Sequence, residues 1–184
     1  MSQITKRALA EALKRQLEQR PLEKITVKDL TDECGLNRQT FYYHFQDIYD
    51  LLGFTFKEEA ERTLGENRTY ESWQEGFLNA LCYVQNHRRM VENAYHSIGR
   101  EHLEAYLYSV VFELLMGVLD GQARGMRVSQ DDRRFIVDFY MYAFVGVVLE
   151  WIRSGQKEEP RALTERLARL IEGDFKRALE KFSA

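Results

Sequence analysis

The run from Thr26 to Phe45, TVKDLTDECGLNRQTFYYHF, constrains this chain more than any other stretch. Thr26 with Asp29 three residues on has the form of a capping box, in which the hydroxyl accepts from an orphan N–H and the carboxylate reaches back. The spacing predicts a short helix from Val27, with Val27, Leu30 and Cys34 as one apolar stripe. Gly35 supplies the left-handed residue that ends it. Asn37, a favoured N-cap, opens a second helix at Arg38, in which Phe41 and Phe45 lie at i, i+4 and face inward with Leu36. Two short helices around a glycine turn make a helix-turn-helix.

The second helix leaves Arg38, Gln39, Thr40, Tyr42, Tyr43 and His44 for its other faces. Arginine can grip guanine O6/N7 and glutamine adenine N6/N7, each with two hydrogen bonds, so a first turn carrying Arg and Gln suits the major groove. The tyrosines and histidine can donate to phosphate oxygens. The competing reading of these residues is a surface helix with an aromatic flank.

From Ile4 to about Phe54 the chain resembles the DNA-binding domain of the TetR/AcrR family of bacterial transcription regulators. The likeness is carried by the Thr26-headed helix, by Gly35 at the turn, and by Thr40-Phe41-Tyr42-Tyr43-His44-Phe45. It implies an all-α protein, with an N-terminal three-helix helix-turn-helix DNA-binding domain and a C-terminal helical bundle for ligand and dimerisation. By this resemblance Lys28, Arg38, Gln39 and Tyr42 contact bases. Thr26, Val27, Thr40, Tyr43 and His44 contact the DNA backbone, Val27 through its N–H alone. The wording Asn37-Arg38-x-Thr-Phe-Tyr-Tyr-His-Phe is similar to a DhaS-like subgroup that includes activators of dihydroxyacetone-kinase operons. One departure stands out: where family members often carry Lys after the motif, this chain has Gln46, Asp47 and Ile48, leaving phosphate gripping there to helix-terminus N–H groups.

Charge has to be read locally. The whole chain is at −3, yet residues 1–46 hold eight Lys/Arg against six Asp/Glu, and the deficit lies in the remainder. That excess is modest for non-specific DNA binding. A local basic surface on the first helix, where Lys6 and Arg7 can approach DNA or simply be solvated, and at Lys24, Lys28 and Arg38 can still meet phosphate.

In chain order, Ser2–Gln19 reads as a first helix burying Ile4, Ala8, Ala12/Leu13 and Leu17, ended before Pro21. Asp47 with Asp50 caps a helix to Leu64, apolar on more than one side. Gly65–Thr69 is the expected boundary. The expected organisation is therefore a DNA-binding domain at 1–46, a connecting helix at 47–64, and a regulatory and dimerisation domain at 65–184.

Further helices are predicted at 70–87, 90–98 (ended by Gly99), 100–124, 130–154 behind a Ser129/Asp132 box, and 161–182 behind Pro160. The last two carry more apolar surface than one bundle needs, with Ala143 and Gly146 permitting close approach. A homodimer through them is expected, placing two recognition helices on double-stranded operator DNA.

Aromatic residues crowd the C-terminal part, and Trp73, Phe77, Tyr106, Phe112, Phe139 and Tyr142 are the candidate lining of a small-molecule pocket. The alternative is that this part docks on a protein co-regulator that carries the effector signal. His87, His96 and His102 have no convergent metal spacing, no catalytic triad or phosphate loop can be argued, and no cofactor is expected. Cys34 and Cys82 read as small buried hydrophobes in a reducing cytoplasm. No signal peptide is read at Lys6–Arg7, and the apolar run Tyr140–Leu149 is too short to cross a bilayer.

Overall fold

The computed structural model describes residues 2–67, 69, 71–96 and 100–183, and these are helical with connecting turns. Helices α1 (Ser2–Leu17), α2 (Val27–Glu33), α3 (Arg38–His44) and α4 (Ile48–Leu64) come first, with a 3-10 turn at Leu22–Lys24. They are followed by α5 (Trp73–Asn86), α6 (Arg88–Tyr95), α7 (Arg100–Gln122), α8 (Gln130–Arg153), α9 (Pro160–Ile171) and α10 (Asp174–Phe182). The expected all-α architecture is what is found.

Two compact units are interleaved along the chain. One comprises the residues up to Glu59 with Asn86–Tyr106; the other comprises Ala60–Gln85 with the residues from Leu107 onward. Of the expected segments, 1–46 lies within the first unit and most of 65–184 within the second, while 86–106 groups with the first. The segment 86–106 returns to the N-terminal unit, because Met90, Val91 and Ala94 of α6 are buried there and α6 packs on α1.

In the first unit Leu9, Leu13 and Leu17 of α1 are fully buried with Leu30, Phe41 and Leu51. Removing each such side chain from water contributes about 1.5–3 kcal/mol. The buried face of α1 keeps Ala12, Leu13 and Leu17 of the expected stripe but not its first two residues. Ile4 is 75% exposed and Ala8 also faces out, while the stripe runs through Leu9, Ala12, Leu13 and Leu17. Glu59 of α4 is buried, and Lys14 Nζ donates to its Oε1 at 2.6 Å and to Glu11 Oε1 at 2.7 Å. Burial pushes the Lys14 ammonium down, but its bonds to Glu11 and Glu59 outweigh that and hold it above the ordinary lysine value.

In the second unit Trp73 and Phe77 of α5 meet Phe144 of α8, with ring centroids 5.8 and 5.4 Å apart. Leu114, Leu115, Val118 and Leu119 of α7 are fully buried. Tyr140 of α8 stacks against Phe175 of α10 at 4.6 Å. Three local expectations are corrected. The stretch 161–182 is two helices, not one, because Gly173 takes a left-handed conformation (φ +75°) between α9 and α10. The fifth helix starts at Trp73 and the sixth ends at Tyr95, while its expected terminator Gly99 lies outside the described residues. Helix α8 as a whole is long and apolar enough to cross a membrane by length and composition, unlike the Tyr140–Leu149 window. Its Ile136, Val137, Phe144, Val145 and Val148 are nonetheless packed in the core, as in a bundle helix.

Removing Lys14 leaves the Glu59 carboxylate buried without its ammonium. Lys14→Met is expected to lower stability by about 1–3 kcal/mol, and Lys14→Met with Glu59→Met by less than the sum of the single changes in urea melts. The Lys14 contribution is fully present below the ordinary value of 10.5 and is lost as pH rises through the raised one.

Candidate nucleic-acid interface

Local chemistry sets both helices of the motif. Asp29 N–H donates to Thr26 Oγ1 at 3.2 Å, and the Thr26 N–H and hydroxyl donate to Asp29 Oδ2 at 2.9 and 2.8 Å, so the capping box is complete. Those bonds, with Arg20 at 3.2 Å, hold the Asp29 carboxyl below its ordinary value. After Glu33, Cys34 is the C-cap and Gly35 turns the chain at φ +65°. Asn37 then caps α3, its Oδ1 accepting from the Thr40 N–H at 2.7 Å and from the Thr40 hydroxyl at 3.0 Å.

Phe41 and Phe45 are buried, as their i, i+4 spacing requires, and this fixes the rotation of α3. Arg38 and Gln39 are exposed, Tyr42 is 58% and Tyr43 81% exposed, while Thr40 and His44 are half-buried. Tyr42 leans edge-on against Phe41, and Tyr43 against His44. Lys28 is exposed on α2, and Thr26 is exposed at its start. These candidate contacts therefore lie together on the motif. Thr26 and Thr40 carry a condition: the hydroxyl of each already donates within the caps, so donation to a phosphate has to exchange a bond.

The basic residues divide into two sets that the sequence does not separate. Arg7 bonds Glu58, Lys14 bonds Glu11 and Glu59, Arg15 bonds Glu33, and Arg20 bonds Asp29. Lys6, Lys24, Lys28 and Arg38 make no ion pair among the described residues. Acids thus neutralise the supporting cations and leave these four available. Asp47 and Asp50 occupy the start of α4, where the Gln46 N–H donates to Asp50 and the Asp50 N–H to Asp47. These two amides are therefore not available to a phosphate.

The six aromatics expected to line a pocket lie in different environments. Trp73 and Phe77 are buried in the α5/α8 cluster, and Phe112 lies under the Arg134 guanidinium at 5.3 Å. Phe139 and Tyr142 are 66% and 60% exposed. Tyr106 belongs to the first unit, where its hydroxyl donates to the Phe56 carbonyl. Among the described residues, clefts open on the second unit. One of about 550 Å³ is lined by Trp73, Gln74, Glu165 and Arg169, another of about 480 Å³ by Val147, Leu163, Arg166 and Leu170. The charged residues named on both, Glu165, Arg166 and Arg169, come from α9, which the aromatic pattern did not bring forward. His87 lies 3.3 Å from Glu18 and His96 caps α6; the His102 side chain lies outside the described residues. Cys34 and Cys82 are free and half-buried rather than fully buried, and burial pushes the Cys34 thiol up.

Residues 4–53 match the model of bacterial regulatory proteins, tetR family, and residues 71–173 that of a transcriptional regulator C-terminal region. Over 85 residues the chain is 30% identical to the HTH-type dhaKLM operon transcriptional activator DhaS of Lactococcus lactis subsp. lactis (strain IL1403). That alignment covers 46% of each protein, so the match spans about half the length of this relative. The structure of a dihydroxyacetone kinase operon activator DhaS superposes on 98% of this chain and 99% of its own, with a TM-score of 0.71 at 22% identity. The TetR family repressor AlkX from Dietzia sp. strain DQ12-45-1b, implicated in biodegradation of n-alkanes, covers 95% and 96%, with a TM-score of 0.60 at 19% identity. At such identities these structures show the shared fold.

The interface depends on its caps. Asn37→Ala is expected to lower stability by about 1 kcal/mol in chemical denaturation. The Asp29 contribution is present above the ordinary carboxylate value of 3.8 and is lost as pH falls through the depressed one. Asp29→Asn should flatten that acid limb.

Proposed function

The chain belongs to the tetR family of bacterial regulatory proteins, and on that premise we propose that it binds a palindromic operator as a homodimer in the cytoplasm and answers to a small-molecule effector. It is a transcription regulator and not an enzyme. The observation that carries the DNA-reading part is the exposure of Arg38, Gln39 and Tyr42 on a capped helix whose opposite face is locked by Phe41 and Phe45. Arg38 and Gln39 read base edges in the major groove, with Tyr42 and Lys28 beside them. Thr26, Thr40, Tyr43 and His44 hold the backbone and set the register.

The dimer reading rests on α8. Phe135, Phe139, Tyr142, Ala143 and Gly146 fall at i, i+4, i+7, i+8 and i+11 and are all exposed. Phe182 of α10 stacks on Phe135 at 6.2 Å and extends this face. Three aromatics left open to water on one helix call for a partner surface, and a two-fold axis lets the same face serve both copies. Such a dimer presents recognition helices about 34–36 Å apart to successive half-sites. An effector that changes operator affinity 10- to 100-fold has to discriminate the two states by about 1.4–2.8 kcal/mol.

A second reading keeps the DNA-binding half and gives the effector to another protein, a co-regulator that docks on the C-terminal part. The 30% identity over 85 residues to the dhaKLM operon transcriptional activator DhaS is the observation that supports a DhaS-like regulator of this type. Release of the protein from operator by the low-molecular-mass fraction of a cell extract supports direct sensing. Release or recruitment by the protein fraction alone supports the co-regulator.

Selection of bound DNA from a random pool at near-physiological salt supplies the operator for the decisive comparison. Arg38→Ala or Gln39→Ala is expected to cost about 1–3 kcal/mol and relax preference at one base pair, whereas His44→Ala weakens all sequences alike. Equal loss on operator and scrambled DNA for Arg38→Ala contradicts the assignment. Phe139→Glu is expected to yield monomers in sedimentation and to abolish two-half-site binding. A monomeric wild-type protein overturns the dimer.

A further inference from the structure

The corner between α3 and α4 carries no basic residue of its own. Phe45 is followed by Gln46, Asp47, Ile48, Tyr49 and Asp50. Two of the backbone donors at this helix start are consumed internally, the Gln46 N–H by Asp50 Oδ2 at 3.0 Å and the Asp50 N–H by Asp47 Oδ1 at 2.9 Å. Both carboxylates also repel an approaching phosphate. If this end of the recognition helix holds a DNA strand, the positive charge has to come from elsewhere in the chain.

Lys6 brings it. The Nζ of this α1 residue lies 5.6 Å from the centroid of Phe45, the C-cap of α3, and 5.5 Å from that of Phe54 on α4. The two rings are in contact with each other at 5.5 Å. An ammonium held against two ring faces is positioned without being neutralised. Its neighbour Arg7 is instead bonded to Glu58 at 3.0 Å. The Phe45 ring adjoins His44, whose ring is followed by Tyr43, so the lysine ends a row of side chains along the exit of α3. In a helix-turn-helix the N-terminal residues of the recognition helix meet the base edges, so the C-terminal edge of α3, where Lys6 sits, is the end left for the flanking backbone.

The geometry points to Lys6 as a further phosphate-binding residue, delivered from α1 to the α3/α4 corner and aimed by the Phe45 and Phe54 rings. This rests on the proposed placement of α3 in the major groove. Lys6 contributes affinity and register and carries no base preference.

The test is a salt titration of binding to the selected operator and to scrambled DNA, using wild type, Lys6→Met, Lys6→Gln, Lys6→Arg and Arg7→Met, with thermal melts in parallel. Removing one phosphate contact per head should lower the slope of log affinity against log salt by about 1.8 per dimer for Lys6→Met and Lys6→Gln, weakening both DNAs alike. Lys6→Arg should keep the slope. Arg7→Met, which removes the same formal charge from a paired site, should leave it nearly unchanged. A wild-type slope in both neutral Lys6 variants, whatever their melting temperatures, overturns the inference while the operator-binding reading stands. Wild type that binds no DNA overturns both.

Discussion

Burial of Phe41 and Phe45 is the constraint on which the DNA-reading half depends. Residues in a helix advance by 100° each, so pinning two aromatics at i, i+4 into a core leaves one rotation for the rest of α3. Gln39 and Tyr43 then face outward and Tyr42 lies on the flank, as their exposure shows. Losing that packing would cost the helix as well as its aim, because seven residues are too few to hold a helix in water without tertiary support. Phe45, in contact with Phe54, also seats the Lys6 ammonium. One ring thus serves both orientation and charge placement.

Acidic residues do as much as basic ones to define the interface. Glu33, Glu58, Glu59 and Asp29 neutralise cations that brace α1, while Lys6, Lys24, Lys28 and Arg38 make no ion pair among the described residues. A chain of net negative charge can therefore present a locally basic face, because paired charges separated by 3 Å cancel beyond about a Debye length while unpaired ones do not. Surface pairs of this kind add little stability individually; their larger effect here is to select which cations remain available. Lys14 with Glu59 is different, since the buried carboxylate needs its partner.

The C-terminal unit shows a division of labour along a single helix. One side of α8 carries Ile136, Phe144, Val145 and Val148 into the core, and another leaves Phe135, Phe139 and Tyr142 in water. A helix apolar on both sides reads as a membrane span by composition, yet here half of that surface is spent inside the unit. In the proposed dimer the exposed Phe135, Phe139 and Tyr142 are what a second copy would cover.

The sequence alone determined the all-helical class, the capped helix-turn-helix and the inward Phe41/Phe45 pair. Each is written in contacts three or four residues long, and such contacts form wherever the local chain can reach itself. Tertiary structure alone decided the break at Gly173, the outward turn of Ile4 and Ala8, the return of α6 to α1, the different environments of the six aromatics, and the pairing that spares Lys6. Those outcomes depend on which distant faces compete for the same buried surface. A glycine reads alike in a helix or at its end, and a lysine reads alike paired or free, until the fold brings their neighbours together.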